Sequence, residues 1–225
     1  ARSARRFNGW KRVILTEMSE RLRTGISALD RQLDGGIPAG SVVALTAAPA
    51  SQAELFLYEL TAARNTLYLT IDRTSDAVAN SIDAAPTSTG DPTVRDVTGD
   101  APLDNTSKRI AALPDSSNLI VDPIDVLERH EPPRYRKFLN DLQNQVYNTD
   151  SLAVLHCLEG HKVPPLRDTT VHMADVVFQL QTKLKGDRVE NRLTVPKFRG
   201  GKALSDAIKL DLTEAIDIDT SRDIA

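Results

Sequence analysis

Four short apolar runs punctuate this chain, with helix-length amphipathic segments between them. They are Ser41–Thr46 (SVVALT), Thr66–Ile71 (TLYLTI), Leu119–Val121 ending on Asp122, and Leu152–Leu155. Near-continuous apolar runs bounded by turn residues belong to strands buried on both faces. Strands that alternate with helices are joined by crossovers, which makes them parallel. The spacing predicts helices over Gln52–Arg64, with Leu55, Leu57, Tyr58 and Leu60 inward, and over Asn105–Leu113. It also predicts Pro132–Tyr147, with Tyr135, Phe138, Leu139, Leu142 and Val146 on one face. Arg21–Leu33 reads as a turn and a short helix capped by Thr24. Ser75 or Asp76 caps a helix running through Ile82. Val171–Ala174 is a short helical piece. Val94–Thr98, Val176–Gln181, Arg188–Val195 and Ala207–Leu212 are further strands, the last two a candidate hairpin. The fold class is α/β: a mainly parallel twisted sheet flanked by helices, with a β-rich C-terminal end. Ligands of such sheets gather at the carboxyl ends of the strands, so the loop after Thr46, together with Asp72 and Asp122, marks the candidate site.

Composition narrows the function classes. With 225 residues, 40% of them hydrophobic, the chain can bury a core. Its one cysteine, Cys157, excludes a disulfide scaffold. No apolar run approaches membrane-spanning length, which points to a cytoplasmic protein without a membrane partner. Basic residues crowd residues 1–17, leaving residues 18–225 with 23 bases against 30 acids. That balance disfavours a domain-wide nucleic-acid footprint, so DNA is a possible but not a favoured partner. Residues 1–17 are expected to be a basic leader, disordered or non-native, ahead of a single domain over 18–225. Acids are mostly Asp (22 against 9 Glu) and Lys is scarce (9 against 19 Arg), the balance a high-salt cytoplasm tends to select.

The segment Thr24-Gly-Ile-Ser-Ala-Leu-Asp30, followed by Leu33-Asp-Gly-Gly-Ile-Pro-Ala-Gly-Ser41, resembles the opening of RecA-superfamily ATPases of the KaiC and RadA type. Later landmarks follow in the same order. Leu67–Asp72 resembles the strand that ends in the catalytic acid, and Asn118–Asp122 resembles the Walker B strand. Tyr135–Leu139 resembles the helix after it, and Lys197-Phe-Arg-Gly200 the late K-x-RG element. The resemblance covers residues 21–218 and implies a RecA-like P-loop NTPase core in an archaeal, haloarchaeal-type protein.

The resemblance breaks at the phosphate loop. A working loop reads G-x-x-x-x-G-K-[ST]; here the stretch reads Ala47-Ala-Pro-Ala50-Ser51-Gln52-Ala53-Glu54. Ala47 and Gln52 stand for the glycines, Ala53 for the lysine, and Glu54 for the Ser/Thr that holds magnesium. Glycine lets backbone N–H groups curl round phosphate, Pro49 removes a donor, and Glu54 places negative charge at a helix start that would otherwise attract an anion. Each loss is worth roughly a few kcal/mol of charge stabilisation, and together they argue against ordinary P-loop hydrolysis.

The resemblance gives the remaining acids their candidate roles. Asp122 would hold Mg²⁺, and Asp72 would activate water, with Arg73 placed to neutralise it; alternatively both acids are structural. Lys197 and Arg199 would reach a neighbouring subunit's phosphates in trans, or else lie solvated on a strand or turn. The implied protein is a catalytically degenerate regulator or assembly partner of RecA/KaiC-like proteins, in homo- or hetero-oligomers. The alternatives are a weak ATP-binding protein with a rewired loop, taking ATP and Mg²⁺ as cofactors, and a RadA-paralogue-like accessory in DNA recombination or repair. His156, Cys157, His161 and His172 invite a metal hypothesis, but adjacent strand residues face opposite ways. A core thiol beside ordinary histidines is the simpler reading. Arg129, His130, Arg134, Arg136 and Lys137 form a basic patch, and Lys162 and Arg167 lie where recombinases carry a DNA-contacting loop.

Overall fold

A computed structural model describes residues 20–212 and 217–218. The basic leader of residues 1–17 lies outside the described residues. In chain order the elements begin with β1 (Arg21–Leu22), α1 (Ser27–Gln32), β2 (Ile37–Pro38), β3 (Ser41–Ala47), α2 (Ala53–Ala63) and β4 (Thr66–Thr70). Next come α3 (Ser75–Asp83), β5 (Thr93–Asp96), α4 (Pro102–Ile110), β6 (Asn118–Asp122), a 3-10 turn at Leu127–Arg129 and α5 (Pro132–Asn148). The chain continues through β7 (Leu152–Leu158), α6 (Arg167–Met173), β8 (Val176–Lys185), β9 (Arg188–Phe198), β10 (Ile208–Asp211) and β11 (Asp217–Ile218).

One nine-stranded sheet runs in the order β11-β10-β9-β8-β3-β7-β6-β4-β5. Strands β8 through β5 in that order pair in parallel. The β-rich tail extends the sheet antiparallel: β8 and β9 form a hairpin, β10 returns along β9, and β11 pairs with β10. The apolar runs are buried on both faces as their composition requires. Val43 and Leu45 of β3 join Phe56, Leu57 and Leu60 of α2 on one side. Val42 and Ala44 join Tyr135, Phe138 and Leu139 of α5 on the other. This architecture is the mainly parallel α/β fold expected.

Local expectations shift where side chains find better partners. Phe56, fully buried and edge-on to Phe178 at 5.9 Å, supplies the inward anchor on α2, while Leu55 is only half-buried. Helix α3 is capped by Thr74, whose hydroxyl accepts from Ala77 N at 3.3 Å, rather than by Ser75 or Asp76. Thr24 does not cap α1: its N–H and hydroxyl both donate to Asp30 Oδ1, at 2.7 and 2.8 Å. Helix α4 begins at Pro102, three residues before Asn105, because proline at the first turn loses no hydrogen bond.

The opening motif is built into the base of the sheet. Gly36 takes φ +128°, and a Cβ there would lie 2.3 Å from Leu22 O, so only glycine lets β1 and β2 close together. Arg21 stacks over Phe198 at 5.5 Å and donates to Gly200 O at 3.1 Å, tying the motif to the end of β9.

Candidate functional site

The parallel register pairs Ala47 with Leu158 and Thr70 with Asp122 at the carboxyl ends of β3, β7, β4 and β6. The cleft above them, about 190 Å³, is bounded by the loop after β3, the start of α2, Asp72, Arg73, Asp122 and His156. Its chemistry centres on Asp122, which is 6% exposed. Tyr68, two strand positions earlier on the neighbouring strand and on the same face, donates its hydroxyl to Asp122 Oδ2 at 2.5 Å. His156 Nδ1 lies 2.6 Å from Asp122 Oδ1. Both carboxylate oxygens are therefore engaged by protein groups.

Electrostatics follow from that arrangement. Burial pushes the Asp122 carboxyl up, but the hydrogen bonds from His156 and Tyr68 and the nearby Arg73 charge outweigh it and hold the group below the usual carboxylate range. The Tyr68 phenol is driven well above its ordinary value by burial and by Asp122. Ser51, Glu54 and Asp72 line the cleft, but Arg73 does not neutralise Asp72. Its guanidinium reaches Glu54 Oε1 at 3.3 Å, Tyr58 Oη at 3.3 Å and Ser81 Oγ at 2.6 Å. Folding α2 and α3 against β4 brings Glu54, Tyr58 and Ser81 within reach, and they take the arginine first. Desolvation and the charges of Asp125 and Asp122 then raise the Asp72 carboxyl above its usual range.

The loop itself is turned inward. Ser51 N donates to Ala48 O at 3.0 Å and Ala53 N to Ser51 Oγ at 3.4 Å, and Pro49 has no N–H. No residue from Ala47 to Glu54 takes a positive φ. Ala47 closes β3 and Ala53 opens α2, both buried. Ala50 is exposed, and Gln52 makes no side-chain cap.

Lys197 and Arg199 lie away from this cleft, at the end of α6. Lys197 Nζ donates to Val171 O at 3.1 Å and His172 O at 2.6 Å. Arg199 reaches His172 O at 3.2 Å and Asp175 Oδ1 at 3.1 Å. They answer carbonyls at the helix C-terminus, where cations are favoured.

Arg167 is buried rather than presented from a DNA-contacting loop. It bonds Glu128 Oε1 and Oε2, both at 3.0 Å, pairs with Asp125 at 2.9 Å and caps Leu158 O at 2.9 Å. Of the basic patch, Arg134 pairs with Asp104 at 2.8 Å and Lys137 with Asp141 at 2.5 Å. His156 and Cys157 face opposite sides of β7: the histidine meets Asp122, and the thiol is buried in the α5-side core, its ionisation suppressed by desolvation. His161 is exposed and His172 sits in the last turn of α6.

Sequence reasoning missed Tyr68 and Asp125, and it weighed His156 only as a metal ligand or an ordinary histidine, not as a partner of Asp122. The available signal was a lone imidazole continuing the apolar run of β7, one register step beyond the Val121–Leu155 pair. Among the described residues, no helix is long and apolar enough to cross a membrane.

Comparison with known proteins agrees with this architecture. The KaiC-like protein PH0186 of the hyperthermophilic archaeon Pyrococcus horikoshii OT3 superposes with a TM-score of 0.71 at 15% identity, over 89% of this chain and 99% of that one. At that identity the likeness establishes the KaiC-like RecA fold alone. No curated protein matches in sequence. The model of a family of unknown function, DUF7125, matches residues 21–225. The chain belongs to that family, DUF7125, and its fold is that of the KaiC-like RecA proteins.

Proposed function

We propose that this protein is a RecA/KaiC-like fold protein that has left ATP hydrolysis and acts as a regulatory or assembly partner of RecA/KaiC-like proteins. The observation that carries the reading is the engagement of both Asp122 oxygens by Tyr68 and His156. In an active relative that carboxylate would face magnesium, directly or through water; here ATP–Mg²⁺ would have to displace two buried hydrogen bonds. The loop supports the same reading, because the positions of the phosphate-binding lysine and the hydroxyl ligand hold Ala53 and Glu54, and Glu54 pairs with Arg73. These residues do not fit ATP–Mg²⁺, and no catalytic step is assigned to Asp72. The bonds from Lys197 and Arg199 to α6 favour a structural over a trans-acting role for both. The Asp-rich, Lys-poor composition supports a halophilic archaeal setting.

Titration calorimetry of the full chain with ATP–Mg²⁺ tests the reading. The native protein gives no saturable heat. A variant carrying Ala47→Gly, Gln52→Gly, Ala53→Lys and Glu54→Thr together binds, because it regains phosphate donors and a lysine on a preserved scaffold. Micromolar binding by the native protein that Asp122→Ala abolishes would overturn the proposal.

A further inference from the structure

A second cavity, about 270 Å³, opens at the other end of the sheet, where the amino ends of β4 and β5 meet the last turn of α4. Residues 18–225 carry more acids than bases, yet this cavity is lined by two arginines, Arg95 and Arg109, and by no acid. The edge strand explains how the two are held. Strand β5 is the outermost of the sheet and pairs only with β4. Val97 N donates to Thr70 O at 2.8 Å, so the alternation of the parallel ladder turns the N–H and C=O groups of Arg95 toward β4 and those of Val94 and Asp96 toward the open edge. Arg95 donates to Val94 O at 2.8 Å, and Arg109, from α4, donates to Asp96 O at 3.1 Å. Carbonyls two residues apart on a strand lie about 6–7 Å from each other, which brings the two guanidiniums to neighbouring positions on one edge. Among the described residues neither meets a carboxylate, and each leaves the rest of its fork of donors open. Protection of the open edge accounts for one N–H group of each arginine; it does not account for the cavity they line. Like charges placed together repel, and an anion held by both relieves that repulsion. The carbonyl end of α4 also lies here, but its partial charge of about −0.5 is smaller than the two full charges that face it.

We propose that this cavity binds a small aliphatic carboxylate, its charged group held by Arg95 and Arg109 and its chain against Leu67, Ala112 and Pro114. Guanidinium forks match the planar, two-oxygen geometry of a carboxylate. Thr93 lies two positions before Arg95, on the same face of β5. It lines the cavity, and its hydroxyl makes no hydrogen bond among the described residues, so it is a further donor to the same oxygens. The three apolar side chains give an alkyl chain a surface that a hydrated inorganic anion cannot use. An apolar wall joined to a few convergent polar groups is the usual make-up of a small-molecule site. The inference goes beyond the reading of the cleft and stands whether or not that cleft takes nucleotide, because the two lie at opposite ends of the strands.

The test is amide-resolved NMR of the ¹⁵N-labelled full chain titrated with potassium hexanoate at constant ionic strength. Saturable shifts confined to residues 65–67, 93–97 and 109–117 are expected. Binding weakens at least tenfold with hexanamide, which keeps the chain and loses the charge, and at least tenfold with acetate or inorganic phosphate, which keep the charge and lose the chain. It also weakens at least tenfold in Arg95→Gln and in Arg109→Gln. Arg95 is exposed and Arg109 half-buried, so both variants keep the core, and an unchanged amide spectrum away from the cavity verifies this. Absence of saturable shifts, or saturable shifts centred elsewhere, would overturn the proposal. So would binding of hexanamide, acetate or phosphate as tight as that of hexanoate, or undiminished binding by either arginine variant.

Discussion

Asp122 shows how the surroundings of a buried carboxylate decide what it can do. A carboxylate at a strand end needs donors, and here Tyr68 and His156 supply both. Its ionisation lies below the ordinary range of about 3.9 for an unfolded aspartate. A depressed carboxyl stabilises the fold fully above the unfolded value, and that contribution is lost as pH falls through the unfolded value to the folded one. Tyr68→Phe leaves Asp122 Oδ2 without its donor. It should cost about 1–3 kcal/mol at neutral pH and, by raising the folded Asp122 value, flatten the loss of stability below about pH 4. Urea denaturation of both proteins across the acid range measures this. Asp72 has the opposite sign, because protonating its raised carboxyl relieves its desolvation and then its repulsion from Asp125 and Asp122; using Asp72→Asn as the common background isolates the Asp122 contribution.

Among the elements, the connection from β6 to α5 and helix α6 form one unit through Arg167. Burial disfavours this guanidinium's charge, but the bonds to Glu128 and the charge of Asp125 outweigh that cost and keep it protonated. Glu128 is fully buried, and it accepts from Thr170, whose hydroxyl lies 2.7 Å from Tyr135 Oη. Pairs of this kind add little net stability, but removing one partner leaves a bare buried charge. Arg167→Met should therefore cost about 3–5 kcal/mol. The double variant Arg167→Met/Glu128→Gln should recover part of that loss, read as denaturation midpoints. A solvent-facing DNA-contacting arginine would show no such coupling. The opening motif is an element of the same structural kind: Thr24, Asp30 and Gly36 close the base of the sheet, at the opposite end of the strands from the cleft. Its strong resemblance to KaiC-type proteins therefore carries fold information and says nothing of chemistry.

For the molecule as a whole, the consequence of sequence is charge. Residues 18–225 hold seven more acids than bases, and self-repulsion of that surplus opposes compaction. Salt screens it, with a Debye length of about 10 Å at 0.1 M and about 3 Å at 1 M. The urea midpoint should rise as KCl is raised from about 0.1 to 1 M and beyond, the range over which this screening length contracts. A midpoint independent of KCl would argue against a high-salt setting.

Periodicity alone was enough to establish the α/β class, the buried strands and the position of the cleft, because strands covered on both faces leave an unambiguous apolar signature. The sequence also showed directly that Ala47–Glu54 does not carry the G-x-x-x-x-G-K-[ST] pattern. What it could not show were cross-strand and cross-helix partners. Asp122, Tyr68 and His156 come from strands separated by dozens of residues, and only the register aligns them on one face. Whether Arg73 turned to Asp72 beside it or to Glu54 on α2 depended on how two helices pack against β4. Local pattern records which face of an element is buried; the partner of a buried charge is chosen in three dimensions, where desolvation leaves a polar group no alternative to the partner the fold brings within reach.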